Sequence, residues 1–221
     1  EGIARTQEDL DNHATQEGAQ IGDCLYKDVS GPDGKPDGKI DANDQVVLGS
    51  GMPKIHFGLN ARFEYKRFDL SIATFGALNY HVSDDIYNSL NSCYGWGNKE
   101  VGMLDANRFS EDGSTYLSNV PRTYVTNSAS LGWNDLFSSR KIQNAAYWKI
   151  ANVELGYNLP NEWFGKYVSD VRLYVSAQNL HTFTGYHGYN VDYAGGTFTP
   201  GYNFCSYPTA RTFMCGVHFT F

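Results

Sequence analysis

Apolar and polar residues alternate without a break from Lys54 to Tyr65. Ile55, Phe57, Leu59, Ala61, Phe63 and Tyr65 hold one phase, and Lys54, His56, Gly58, Asn60, Arg62 and Glu64 the other. A period of two sends these sets to opposite faces of a strand. The pattern recurs beyond the short turn at Lys66-Arg67, where Phe68, Leu70, Ile72 and Thr74 oppose Asp69, Ser71 and Ala73 within a strand running to Leu78. Val171, Leu173, Val175 and Ala177 alternate with Arg172, Tyr174, Ser176 and Gln178 in a strand ending at Leu180. Phe213, Cys215, Val217, Phe219 and Phe221 alternate with Thr212, Met214, Gly216, His218 and Thr220. A less regular strand is predicted from Tyr147 to Asn158, with Ala151, Val153, Leu155 and Tyr157 in phase. Strands of soluble domains cluster near ~5–6 residues, and these are about twice that length.

The connections sort into two classes. About 53 residues precede the first strand, and the gaps that follow are about 2, 68, 11 and 30 residues, an alternation of long and short that outer-membrane barrels show. The strand directions that follow bring Tyr65, Phe68, Tyr157, Trp163, Phe164 and Phe221 toward one interface, as an aromatic girdle requires. The fold class expected is all-β, an antiparallel transmembrane β-barrel segment with long extracellular loops. Five strands cannot close, because even the smallest barrel takes about eight and an open edge in lipid leaves backbone groups unsatisfied. More strands are therefore expected, before Glu1 or in another chain.

Composition agrees with this reading. Sixteen Tyr, 13 Phe and 23 Gly suit strands and turns. The mean hydropathy of -0.44 leaves no room for a membrane helix of ~20 apolar residues, though a barrel strand with one oily face needs only ~9–11. A formal charge of -7 without a basic cluster argues against a nucleic-acid partner. Glu1–Leu10 lacks the charged head and apolar run of a signal peptide, so the chain is expected to be processed or to begin partway through a longer protein. Cys24, Cys93, Cys205 and Cys215 have no CxxC spacing, which removes the usual zinc and redox readings; pairing of Cys93 with Cys205 stays open. No GxSxG, phosphate loop or HExxH is present, and the expectation is that the chain is not an enzyme.

Asp28-Val-Ser-Gly-Pro-Asp-Gly-Lys-Pro-Asp-Gly-Lys-Ile-Asp-Ala-Asn-Asp44, followed by Val46-Val-Leu-Gly49 and Pro53-Lys-Ile-His-Phe-Gly58, resembles the C-terminal region of SusC/RagA-type transporters. So do Tyr65-Lys-Arg-Phe-Asp-Leu-Ser-Ile72, Tyr147-Trp-Lys-Ile-Ala-Asn-Val-Glu-Leu-Gly-Tyr-Asn-Leu-Pro160, Leu173-Tyr-Val-Ser-Ala-Gln-Asn-Leu180 and Tyr207-Pro-Thr-Ala-Arg-Thr-Phe213 with Phe221. The resemblance runs in order along nearly the whole chain. It implies a 22-stranded TonB-dependent barrel in the Gram-negative outer membrane, an N-terminal plug through which the TonB system acts, a SusD-like lipoprotein lid, and import of oligosaccharides or peptides. The plug and the TonB-contacting segment are not in this sequence, and the substrate and oligomeric state stay open.

Two regions carry candidate chemistry. Residues 1–53 are expected to form an outer loop holding a short helix, with Thr6 as N-cap, Asp9 at N3 and an end near Thr15, and then an Asp/Gly loop. Calcium wants several oxygen ligands around a sharp Gly turn. Asp37, Lys39 through its carbonyl, Asp41 and Asp44 fit positions five, seven, nine and twelve of an EF-hand-like loop. Asp33 falls at position one, but Lys35 at position three cannot ligate, and Asp28 and Ser30 are the alternative entrants. The same residues also make a solvated Asp-Gly turn without metal. Within residues 54–221 the strands carry two outer loops, 79–146 and 181–210. Tyr186, Tyr189, Asn190, Asp192, Tyr193 and Tyr202 in the second, and Trp96 in the first, are the substrate candidates, since aromatic faces stack on sugar rings or peptide groups and amides and carboxylates hydrogen-bond them. Packing of the loop on itself or on a lid protein is the other use of these aromatics. The alternative for the whole chain is a calcium-stabilised extracellular β-sandwich that binds glycans.

Overall fold

The computed structural model describes residues 2–93, 97–103, 107–111, 115–123, 132–164, 168–192, 196 and 198–221. It divides into two units, Glu1–Leu48 with Asp85–Lys141, and Gly49–Asp84 with Ile142–Phe221. The first unit has little regular structure. Strands β1 (Gly2–Ile3) and β2 (Cys24–Leu25) pair antiparallel, helix α1 covers Gln7–Asp11 and α2 covers Asp85–Leu90. The Thr6 capping box forms, with Thr6 Oγ1 accepting from the Asp9 amide and the Asp9 carboxylate accepting from the Thr6 amide. The helix stops at Asn12, short of Thr15, because Thr15 is recruited by the Asp/Gly loop: its amide donates to Gly38 O at 2.7 Å and its carbonyl accepts from Ile40 N at 3.0 Å.

In the second unit the long strands are β3 (Ile55–Tyr65), β4 (Phe68–Leu78), β7 (Tyr147–Asn158), β8 (Asp170–Thr184) and β10 (Thr212–Thr220). They form one antiparallel five-stranded sheet in the order β10-β8-β7-β4-β3. The sheet is open, with β3 and β10 as its edges, and the described residues do not form a closed barrel. Three short strands, β5 (His81–Asp84), β6 (Gln143–Asn144) and β9 (Tyr202–Asn203), make a small sheet in the order β6-β5-β9. A glycine crossing brings the chain ahead of β3 beside this small sheet. Gly201, at φ 78°, lies against Gly51, and a Cβ on either would collide with the backbone of the other's segment; only glycine permits that approach.

Register fixes which side chains share a face. Tyr65, Phe68 and Tyr157 are cross-strand neighbours, as are Phe63, Leu70 and Leu155, and Leu155, Val175 and Cys215 continue the row. On this apolar face Phe57, Leu173 and Val217 are 37%, 40% and 49% exposed. Side chains packed against a second sheet would be buried, and among the described residues no second sheet covers this face. Phe68 and Tyr157 pack at 4.6 Å between ring centroids, which begins a girdle at the short-turn end. The opposite face carries His56, Asn60, Arg62, Glu64, Asp69, Glu154, Arg172 and His218 in neighbouring register positions.

The irregularity near Ala151 is a bulge. Ala73 pairs with Asn152 but Thr74 with Ile150, so Ala151 is an extra residue against β4. Opposite it, Asn152 pairs with Gln178 and Ile150 with His181, and Asn179 sits at φ 53°. Ala151 is thus not in one phase with Val153, Leu155 and Tyr157. Above the bulge the parity changes: Trp148 and Ile150 join the apolar face, while Tyr147 and Lys149 turn to the polar one. Bulges re-aim side chains in this way. Pairing beyond the bulge also carries β8 past Leu180 to Thr184.

Candidate functional site

The polar face carries two charged clusters at different heights. Near the short turns, Arg172 on β8 reaches across β7 to Asp69 on β4, with Nε and Nη2 at 3.0 and 2.5 Å from the two carboxylate oxygens, and donates to Glu154 at 2.7 Å. Gly156, between them in the register, makes the span possible, since a Cβ there would collide with both Asp69 and Arg172. A bidentate guanidinium–carboxylate pair of this kind ties three adjacent strands together. Arg62 and Glu64 pair at 2.8 Å on the same face.

Higher up, Lys149 Nζ meets Asp192 at 2.5 Å, with the two side chains only 4% and 17% exposed. The lysine also lies 5.9 Å from the Phe75 ring centroid. Around it is the unit's main apolar cluster, Ala77, Tyr80, Val82, Ala145, Tyr147, Tyr186 and Val191. Tyr80 donates to the Val191 carbonyl at 2.8 Å. Tyr186 donates to Asp84, and Asn203 Nδ2 donates to both Asp84 Oδ2 and Tyr186 Oη at 2.8 Å. Burial pushes the Tyr80 and Tyr186 phenols up, in Tyr186 with added help from the Asp84 hydrogen bond, so both remain protonated donors at neutral pH.

The predicted substrate residues separate accordingly. Tyr186, Asn190 and Asp192 are turned into the protein, Tyr186 and Asn190 being buried and Asp192 held by Lys149. Tyr189 and Tyr202 remain exposed, as do Phe198, Phe204 and Tyr207 of the same loop. Trp96 and Tyr193 lie outside the described residues. Trp133, from the other long loop, donates to Glu17 O at 2.9 Å and accepts from Tyr26 through its carbonyl, within the first unit. Asp84 and Lys149 were missed from the sequence, whereas Asn203 belongs to the predicted loop and is buried against Asp84 and Tyr186 rather than offered outward. The parity switch from Trp148 and Ile150 to Val153, Leu155 and Tyr157 is the signal that marks Lys149.

In the Asp/Gly loop the carboxylates meet backbone amides. Asp44 accepts from Val29, Ser30 and Asp41 at 2.8, 3.1 and 2.8 Å, and those amides hold its carboxyl below the usual range. Asp28 accepts from Gly38, Asp37 from Lys39 and Asp41 from Asn43. Ser30 Oγ bonds to the Gly31 carbonyl, and Asp33 is exposed in the turn. Among the described residues no group of three His, Cys, Asp or Glu is arranged to hold a metal ion. Within this loop Asp28 Oδ1 is buried without a hydrogen-bond partner among the described residues. All four cysteines are free, with Cys24 and Cys93 buried and Cys205 and Cys215 exposed; burial raises the Cys93 thiol to about 11.

No family model matches the chain. TonB-dependent receptor P3 of Formosa agariphila is 30% identical over 205 residues, covering 89% of this chain and 19% of that receptor. TonB-dependent receptor SusC of Bacteroides thetaiotaomicron is 25% identical over 209 residues, covering 89% and 19%. Among solved structures, the RagAB peptide transporter aligns with a TM-score of 0.67 at 23% identity, over 82% of this chain and 19% of that one. The "open-open" state of the RagAB peptide importer gives 0.67 and 23%, over 86% and 20%. The chain spans about a fifth of the length of the curated relatives it matches.

Proposed function

We propose that this chain, part of a SusC/RagA-type TonB-dependent receptor, contributes five neighbouring strands of the barrel wall and its adjoining outer loops to a receptor that imports oligosaccharides or peptides. Receptors of this kind sit in the outer membrane of Gram-negative bacteria and are not enzymes. The observation that carries the reading is the apolar face of the sheet. Phe63, Leu70, Leu155, Val175 and Cys215 make a row across all five strands that no layer covers among the described residues, and water is a poor solvent for a continuous apolar patch. Lipid is a good one. Both sheet edges expose unpaired backbone, which in lipid requires flanking strands.

The resemblance to SusC and the RagAB likeness support a SusD-like lipoprotein as partner, and energy from the TonB system through a plug in the complete receptor. RagAB is described as a peptide importer, which favours peptides without excluding sugars here. Within the loop 181–210, Tyr189 and Tyr202 are the proposed substrate contacts, and Tyr186, Asn190 and Asp192 form the framework beneath them. Calcium is proposed for the Asp/Gly loop on two grounds, the Asp spacing and the unsatisfied Asp28 Oδ1. Calorimetric titration of the complete receptor with calcium, giving no heat beyond dilution, would remove that element.

The membrane assignment has a direct test. Nitroxide labels at Leu59 and Val175 of the complete receptor in lipid should collide with dissolved oxygen more readily than with a water-soluble nickel reagent. Preference for the nickel reagent at both positions would defeat it.

A further inference from the structure

The outer loop that follows β8 does not stand clear of the sheet; its first part folds down against the polar face. Three contacts hold it at successive positions. Tyr186 donates to Asp84, Tyr80 donates to the Val191 carbonyl at 2.8 Å, and Asp192 takes Lys149 at 2.5 Å. Val191 enters the apolar cluster beside Tyr80 and Tyr147. Of these anchors only the last is ionic, and it is the one that a backbone irregularity creates. Were β7 regular, position 149 would share the parity of Val153 and Leu155 and face the apolar side. The extra residue at Ala151 reverses that parity, placing the lysine over Phe75 and under the returning loop.

We propose that Lys149 is a positioning residue, and that its ion pair with Asp192 clamps residues 185–192 to the polar face as a fixed ledge from which Tyr189 is presented. A lysine as enclosed as this one is costly unless paired, and removing one partner of such a pair leaves the other charge stranded. The loop therefore cannot lift without breaking the pair or carrying Asp192 into a new environment. Because the ledge is pinned, an arriving ligand meets Tyr189 on a preset surface and spends little free energy ordering the segment. The proposal uses the outer-loop assignment made above, but its test reads the position of the loop and not import, so the two can fail separately.

The experiment is hydrogen–deuterium exchange of the complete receptor, comparing wild type with Lys149→Met, Lys149→Arg and Asp192→Asn. Methionine retains the length and apolar stem of lysine, and arginine retains the charge. Exchange in a peptide covering 185–192 should accelerate at least ~10-fold in Lys149→Met and Asp192→Asn. It should stay within ~3-fold of wild type in Lys149→Arg. A peptide from the middle of β8, covering 173–178, reports whether the sheet is intact and should not change in any variant. Wild-type protection of 185–192 in Lys149→Met with an unchanged β8 peptide overturns the clamp. So does equal loosening in Lys149→Arg and Lys149→Met, because the charge would then not be the cause.

Discussion

Replacing Leu59 by lysine places a charge on the apolar face halfway along β3. The strand has eleven residues; at ~3.3 Å per residue and a tilt of ~40° it rises about 28 Å, close to the ~25 Å apolar band of an outer-membrane barrel. Leu59, fifth of the eleven, therefore lies near the middle of the bilayer, and Val175 on β8 shares its face, one row in from the row of Tyr65, Phe68, Tyr157 and Leu173. A Lys or Arg on the lipid face at that depth costs ~2–4 kcal/mol, which at 3 kcal/mol is on the order of 100-fold in the folding equilibrium. Asn60 is one residue away and points to the other face, where a lysine should stay within ~0.5 kcal/mol of wild type. The contrast between adjacent positions carries the test, because propensity, expression and net charge change alike in both. The assay is guanidinium unfolding of the complete receptor in phospholipid vesicles, followed by its gel mobility with and without heating. Leu59→Lys and Val175→Lys should both shift the midpoint downward while Asn60→Lys leaves it in place. Equal midpoints for Leu59→Lys and Asn60→Lys would refute a lipid-facing sheet.

Arg172→Met strands the Asp69 and Glu154 carboxylates against each other; a loss of ~3 kcal/mol is expected in the same unfolding assay, and wild-type stability would show that the triad contributes nothing. Asp44 has a lowered carboxyl pKa in the folded chain, so its contribution is present above the unfolded value of ~3.9 and is lost as pH falls through the lower folded value. Amide protection at Val29, Ser30 and Asp41 should accordingly persist at pH ~4 and fail only below it, as exchange measured over a pH series will show. A water-soluble maleimide added to intact cells should label exposed Cys205 and leave buried Cys24 and Cys93 unmodified; rapid labelling of Cys93 would contradict its burial and its raised thiol pKa.

The long strands were legible because alternation is a local property. Each register position from Ile55 to Tyr65 depends only on its immediate neighbours, and the predicted boundaries of the long strands fall within one residue of those observed, except where β8 continues to Thr184. That exception and the misplaced phase of Ala151 share one origin. A bulge conserves the apolar content of a strand while shifting its parity, so a fixed period of two reads the two halves as one face. The resemblance at the level of motifs named the family for the same reason that the strands were visible, since its quoted segments are mostly strands and tight turns.

The outer loop was far less legible, and Tyr186 and Tyr189 show why. Three residues apart and identical in type, one is buried against Asp84 and Asn203 while the other is exposed. Their difference is set by partners 102 and 17 residues away from Tyr186 in the chain, and no local pattern reports such pairings. Asp192 is the sharper case. As a carboxylate in an aromatic loop it suits a hydroxyl-bearing ligand, yet the structure pairs it with a lysine that only the bulge at Ala151 could bring to that face. An acidic residue in a binding loop can thus be chosen for the wall behind it. The contact surface offered outward is then set by the aromatic residues that stay exposed once those internal pairings are made.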